Sequence, residues 1–232
     1  MDLFYLPHLD KHDAVIEFSP DESRHLCKVL RKNSGDSVYA TNGKGIQYTI
    51  ELKHMNPRKT TGIRIGSSIV PPLPYELHLA IAPTKNIGRF EWFLEKATEI
   101  GITHITPLLC DHSERTQIKM ERLEKILVAA LKQCQGYHLP ALFPLTPFDS
   151  FVSQHPDALI AHCGAGEKKP LHSLVQGTQH NTILIGPEGD FSRREIALAQ
   201  SKKMTEVHLG SRRLRTETAA ISACCTVALA WQ

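Results

Sequence analysis

The residues with most chemical potential lie close together near the carboxyl end of the 232-residue sequence. Ile183-Leu184-Ile185 runs into Gly186-Pro187-Glu188-Gly189, and Val207-His208-Leu209 runs into Gly210. Each apolar run reads as a strand, and each glycine marks the point where strand becomes loop. Glycine at such an exit permits a positive φ and a close approach of backbone to ligand. The carboxyl ends of strands in open α/β sheets are also where ligands bind. Cys163-Gly164-Ala165-Gly166 follows a further apolar run, so three loops (163–166, 186–190 and 209–218) can share one pocket. They offer main-chain N–H and C=O groups, apolar walls at Leu184, Leu209 and Leu214, a carboxylate at Glu188 and a guanidinium at Arg215. That set suits a mid-sized molecule with hydrogen-bonding edges and an apolar body, such as an adenosine derivative. Taken alone, Gly-Pro-Glu-Gly is first of all the composition of a tight turn.

Other chemistries find little support. The sequence has no G-x-x-x-x-G-K-[ST] loop, no G-x-G-x-x-G, no G-x-S-x-G and no H-E-x-x-H. His104, Cys110, Asp111 and His112 are close in sequence, but their spacing matches no metal-ligand pattern, and no metal is expected. His162-Cys163 could mimic a nucleophile and base, yet neighbours on a strand point to opposite faces.

The elements that must position these residues fall into two groups. Up to about residue 70 the chain is β-rich, with short runs at 15–18, 37–40, 47–52 and 62–65 separated by turn residues, which suggests a small barrel. Within it, Ser19-Pro20-Asp21-Glu22-Ser23 opens a basic helix. Leu26, Val29 and Leu30 share its inner face, and Arg24, Lys28, Arg31 and Lys32 fall largely off it. The basic side chains are either a solvated exterior or a grip on phosphates. Val70-Pro71-Pro72-Leu73-Pro74 is a stiff connection, placing domains at 1–70 and 71–232. Beyond it strands alternate with helices: strand 77–82, helix 89–100 stopped by Gly101, strand 102–109, a long amphipathic helix 114–134, a connector 140–147 and a strand 158–162. This rhythm predicts a mostly parallel sheet with helices on both faces. A net charge of +3 confines any nucleic-acid surface to local clusters, at 24–32 and 202–215. Six cysteines without a C-x-x-C pair fit a reducing compartment, and no run approaches a membrane span or a signal peptide. The expectation is a cytoplasmic protein with no membrane partner.

Four segments, in order, resemble one family. They are Arg24-His25-x-x-x-Val29-Leu30-Arg31; Lys85-x-x-x-Arg89-x-Glu91 with Lys96-x-x-Glu99-Ile100-Gly101 and Ile105-x-Pro107; Leu184-Ile185-Gly186-Pro187-Glu188-Gly189; and Leu209-Gly210-x-x-x-Leu214-Arg215-Thr216-Glu217-Thr218-Ala219. The chain resembles the bacterial 16S ribosomal RNA uridine-N3 methyltransferases of the SPOUT class over nearly its whole length. The resemblance implies a small PUA-like β-barrel for RNA and a C-terminal α/β domain. The last segment of that domain would thread a trefoil knot around S-adenosylmethionine. It also implies a homodimer acting on 16S ribosomal RNA in the 30S subunit. In one place the sequence departs from the family: Gly136 stands where relatives carry an arginine, leaving His138 or Arg115 as substitutes for that contact.

The same resemblance distributes roles. His162, Leu184, Ile185, Gly186, Pro187, Glu188, Gly189, Leu209, Gly210, Leu214 and Thr218 would form the cofactor site. Arg24, His25, Lys28, Arg31, Lys85 and Arg89 would hold RNA. Arg215 would hold the target uridine, and Glu217 or Glu188 would take its N3 proton. Glu217 equally reads as an acid favoured in the first turn of a helix. A ribose 2′-O methyltransferase of the same class and a non-catalytic RNA binder are the alternatives.

Overall fold

In the computed structural model, residues 2–10 and 12–231 are described. By its internal contacts the chain divides into two units, Met1–Pro72 with Leu131–Leu139, and Leu73–Ala130 with Pro140–Gln232.

The first unit holds β1 (Leu3–Tyr5), β2 (Val15–Glu17), α1 (Pro20–Arg24), β3 (Ser37–Thr41), β4 (Ile46–His54) and β5 (Thr61–Ile69), with strand order β1-β3-β4-β5-β2. This small sheet surrounds a core that includes Phe4, Phe18, Leu26, Tyr48, Ile50 and Leu52. Pairing is antiparallel except for β1 with β3. The predicted basic helix forms, but not as one α-helix. Ser19 caps α1 by accepting from the Glu22 N–H, and His25–Val29 then continues as a π-helical turn. The Leu30 N–H donates to the His25 carbonyl five residues back. The wider turn breaks the i, i+3, i+4 face expected at Leu26, Val29 and Leu30. Leu26 is fully buried and Leu30 packs on the core, whereas Val29 is 65% exposed.

The second unit is an eight-stranded sheet flanked by helices. Its elements are β6 (Glu76–Ile81), α2 (Ile87–Ile100), β7 (His104–Leu109), α3 (Met120–Gln133, whose last residues join the first unit), β8 (Ala141–Leu142), β9 (Thr146–Pro147), α4 (Phe148–Gln154), β10 (Leu159–Ala161), β11 (Lys169–Pro170), α5 (His172–Val175), β12 (His180–Ile185), α6 (Arg193–Ser201), β13 (Thr205–His208) and α7 (Thr216–Leu229). The order is β11-β13-β10-β12-β6-β7-β8, with β9 beside β7, and every pair is parallel. Alternate residues of these strands feed opposite faces. Ala80, Leu108, Ile160 and Leu184 pack with Phe148, Phe151 and Phe191 under α4 and α6. Helix α7 lies against α2, β6 and β12.

Two expectations shift. The long helix begins at Met120 rather than near residue 114, because Glu114 and Arg115 are drawn to the loop after β6. The 140–147 connector contributes β8 and β9, and α4 follows it directly. No helix among the described residues is long and apolar enough to cross a membrane.

Candidate functional site

The carboxyl ends of β10, β12 and β13 open into a cavity of about 770 Å³. Three loops build it, as their glycines suggest. From the first come His162, Cys163 and Lys168; from the second Gly186, Pro187, Glu188 and Asp190; from the third the continuous stretch 207–216. Ile185 and Leu214 supply apolar surface. Within that stretch, residues 209–215 have no regular secondary structure, so their main-chain groups are not consumed by a ladder. Gly210 within it has φ 130, a conformation side chains rarely adopt.

The loops are locked to each other. Asp190 sits in the left-handed region (φ 64). Its carboxylate accepts from the Cys163 N–H (2.8 Å) and from the Phe191 N–H (2.9 Å). Thr216 Oγ1 donates to the Gly186 carbonyl (3.1 Å), fastening the start of α7 to the end of β12. Glu188 accepts from the Lys85 N–H (2.9 Å), while Arg115 donates to the carbonyls of Thr84 and Lys85. His162 is held from both sides: the Gly164 N–H donates to Nδ1 at 3.1 Å, which leaves Nε2–H to donate to Glu206 at 2.6 Å. The Gln200 amide, with His162 as a second donor, holds the Glu206 carboxyl below the ordinary carboxylate range. Lys168 Nζ donates to the Gly164 carbonyl.

Behind this wall lies a polar brace. Glu195, fully buried, forms a capping box with Ser192 and also accepts from the Asp111 N–H (2.9 Å). Arg194 spans Asp111 and Asp149 and, with Ser192, depresses the Asp111 carboxyl.

Most of the expected cofactor residues line the cavity: His162, Ile185, Gly186, Pro187, Glu188, Leu209, Gly210 and Leu214. Three do not. Leu184 is one residue from Ile185 and so faces the other way, into the apolar core. Gly189 is directed at His112, whose Cβ would stand 3.1 Å from an added methyl. Thr218 is exposed on the first turn of α7. Arg215 lines the cavity at the N-cap of α7, exposed, and among the described residues its guanidinium makes no hydrogen bond or ion pair. Glu217 is buried beside it, outside the cavity lining. One of its oxygens lies 3.8 Å from Arg89 Nε and the other has no hydrogen-bond partner. Sequence reasoning missed Asp190, Lys168 and Glu206. Only Asp190 left a signal, as a charged residue directly after Gly189.

Of the expected RNA contacts, Arg24, His25, Lys28 and Arg31 belong to the first unit, and Lys85 and Arg89 to the second. Arg24, Lys28 and Arg31 are exposed, Arg24 near Asp21 (3.4 Å), while His25 packs edge-on against Phe4. Lys85 is paired with Glu114 at 2.7 Å. His138 bonds the Val70 carbonyl and Arg115 is committed to Thr84 and Lys85, so both suggested stand-ins for the family arginine have structural duties.

A model for an RNA methyltransferase domain matches residues 71–228, and one for an RNA methyltransferase PUA domain matches residues 18–62. The chain belongs to the RNA methyltransferase family. The methyltransferase is 31% identical to ribosomal RNA small subunit methyltransferase E of Synechocystis, over 94% of this chain and 72% of that one. It is 28% identical to the protein of that name from Rickettsia conorii, over 94% and 91%. A probable rRNA methyltransferase from Porphyromonas gingivalis superposes with a TM-score of 0.91 at 32% identity, covering 100% of this chain and 98% of its own. A methyltransferase from Legionella pneumophila, solved with bound S-adenosylmethionine, gives 0.85 at 29% identity, covering 98% and 97%.

Proposed function

We propose that the chain methylates N3 of a uridine in 16S ribosomal RNA of the small ribosomal subunit, using S-adenosylmethionine. The observation that carries this reading is the cavity at the strand ends, where unladdered main-chain groups, apolar walls and Arg215 converge in a member of an RNA methyltransferase family. Relatives bearing a small-subunit rRNA methyltransferase name support the substrate, and the Legionella structure supports the donor.

The cavity's donor set fits the cofactor. Its volume is within the range of small-molecule sites. Main-chain groups around Gly186 and Gly210 would meet the adenine and ribose edges, with Ile185, Leu209 and Leu214 beside the ring. When bound, S-adenosylmethionine supplies an electrophilic methyl on a sulfonium cation. Everything else falls to the chain. Uridine N3 carries a weakly acidic proton, and nitrogen becomes a good nucleophile only once it leaves. Arg215, free and exposed, would hold the target through its phosphate or through negative charge gathering on a uracil oxygen. Glu217 has a buried oxygen without a partner, whereas Glu188 is already engaged by the Lys85 N–H. Glu217, two residues from Arg215 on the first turn of α7, therefore has the free oxygen that a proton acceptor needs, and Arg89 Nε stands 3.8 Å from its other oxygen. N3 is hidden in a base pair, so the uridine must enter unpaired. We also read the chain as a cytoplasmic homodimer with the family's knot at α7, as membership of the RNA methyltransferase family suggests.

The test is incubation with labelled S-adenosylmethionine and 30S subunits lacking the modification, followed by digestion to nucleosides. Labelled N3-methyluridine is expected; a ribose-methylated nucleoside or unlabelled RNA would overturn the assignment. Arg215→Ala should bind cofactor normally and lose roughly 10²–10³-fold in turnover. Glu217→Gln should lower kcat by about 10²–10⁴-fold while cofactor affinity stays unchanged. A larger loss in Glu188→Gln would move the base to Glu188.

A further inference from the structure

A second cavity, of about 460 Å³, occupies the other half of the same sheet and shares no residue with the first. It begins with an anomaly. Strands buried in a parallel sheet are normally continuous apolar runs. Yet β12, β6 and β7, side by side, present His180 and Thr182, Glu76 and His78, and His104 and Thr106 to one face at their amino-terminal halves. Further along the same face Ala80, Leu108 and Leu184 resume the apolar core. The polar end is left open, walled by Phe143 from the segment after β8, by Phe151 of α4 and by His155 at its C-cap.

The wall is aromatic. The His78 ring has the rings of His104, Phe143, Phe151 and His155 within 5.3 to 5.7 Å. His104 and Phe143 are nearly parallel, 14° between planes, with centroids 6.0 Å apart. Opening that pair to about 7 Å would leave one van der Waals gap on each side of an inserted planar ring. Phe143 is 40% exposed and lies in the short segment between β8 and β9.

The polar groups narrow the ligand. No lysine or arginine lines the cavity, so it is not built for phosphate. Its one carboxylate, Glu76, is paired with His180 at 2.9 Å. Among the described residues no group of three His, Cys, Asp or Glu is placed to hold a metal. His78 Nε2 is taken by Thr106 and His104 Nδ1 by Thr103, but the His155 ring makes no hydrogen bond to a described residue. An uncharged planar ring with donors and acceptors on its edge meets all these conditions.

We propose that this cavity binds a single nucleobase, stacked between His104 and Phe143 with its edge toward His155 and Thr106. The site is independent of the methyl-transfer reading, since it uses neither Arg215 nor any wall of the first cavity. The base can come from a free nucleotide or from single-stranded RNA, in either case with its phosphate outside.

The test follows histidine ring signals by NMR in the full chain, with S-adenosylhomocysteine present to fill the first cavity. His104→Gln and His155→Gln assign the signals, and unchanged resonances elsewhere confirm folding. Uridine and adenosine 5′-monophosphates should shift the His104 and His155 signals saturably, and ribose 5-phosphate should not. Phe143→Ala should weaken the nucleotide by about fivefold to a hundredfold, the loss of one stacked ring, and Phe143→Tyr should retain it. A response at lower concentration to a single-stranded RNA decamer identifies RNA as the source; a response to mononucleotides alone identifies a free nucleotide. The proposal is overturned if ribose 5-phosphate shifts the same signals, if zinc chloride alone does, or if nothing moves at millimolar nucleotide.

Discussion

Asp190 ties two walls of the first cavity together with one carboxylate, in a backbone conformation that disfavours most side chains. Asparagine tolerates that conformation but loses the charge, and alanine loses both bonds. Charge-assisted hydrogen bonds contribute about 1.5–3 kcal/mol each, so Asp190→Ala should weaken S-adenosylmethionine binding by roughly tenfold or more, and Asp190→Asn by less. Calorimetry on the two variants checks the order. The neighbouring glycines divide in an informative way. An added methyl at Gly186 would meet the Phe191 ring and main chain at 3.2 Å, beside the cavity, whereas one at Gly189 would press on His112. Gly189→Val should therefore lower the melting temperature by a few degrees, for about 1 kcal/mol, and leave cofactor affinity nearly intact. Unchanged stability with lost affinity would return Gly189 to the pocket. The residue types of this site were legible because glycine, proline and a run of arginines at strand exits have few other uses. The facing of Leu184, Gly189 and Thr218 was not, because it depends on the alternation of β12 and on where α7 begins, neither fixed to the residue by pattern.

Strands and helices of the second unit were largely readable from apolar periodicity, and the misreadings have physical causes. A helical pattern carries no mark of a π turn, so Val29 was assigned to a face that the extra residue rotates into solvent. Residues 114–119 look helical, but Glu114 and Arg115 at their start are claimed by Lys85 and Thr84. Glu195 shows how much one element end can carry. Its carboxylate satisfies the N–H groups of both Ser192 and Asp111 while fully buried. Removing it in Glu195→Ala takes the acceptor from two part-buried donors and empties a buried site, for a loss of about 1–3 kcal/mol by denaturant unfolding. The histidine-bearing sheet face makes a pH prediction. Burial, then the neighbouring His155 and His104, push His78 down to about 4 from an ordinary 6.5. It faces Thr106, His104, His155 and the Glu76–His180 pair, and burial lowers His155 as well. A histidine held neutral in the fold takes up its proton more readily when unfolded, so its contribution to stability is intact above pH 6.5 and declines towards pH 4. Allowing for solvent screening, the fall is roughly 1–2 kcal/mol. His78→Gln should flatten the stability curve in that window, and an unaltered slope would assign the loss to other groups.

At the scale of the whole molecule, a dimer predicts a sedimenting species of twice the 25.9 kDa chain mass. A monomer at micromolar concentration would remove that part of the reading. The proline-rich stretch at 70–74 was visible as a boundary, but the second visit of the chain to the first unit was not, because nothing in residues 131–139 resembles a barrel strand. There the Gly45 N–H donates to the Tyr137 carbonyl, Leu139 donates to Gly43, and Lys132 pairs with Glu22 at 2.7 Å. A fragment ending at residue 72 lacks all three and should melt well below the same unit in the full chain, as judged by the dispersion and temperature dependence of its amide signals. That return visit also bears on how the protein is made. Domains generally fold as units during synthesis, the amino-terminal one first. Here the amino-terminal unit cannot be completed until residue 139 has left the ribosome, by which time β6, α2 and β7 have emerged as well. Translation rate across residues 73–130 therefore sets how long an unfinished sheet, with Val15, Ile65 and Ile69 on its surface, waits for its last segment.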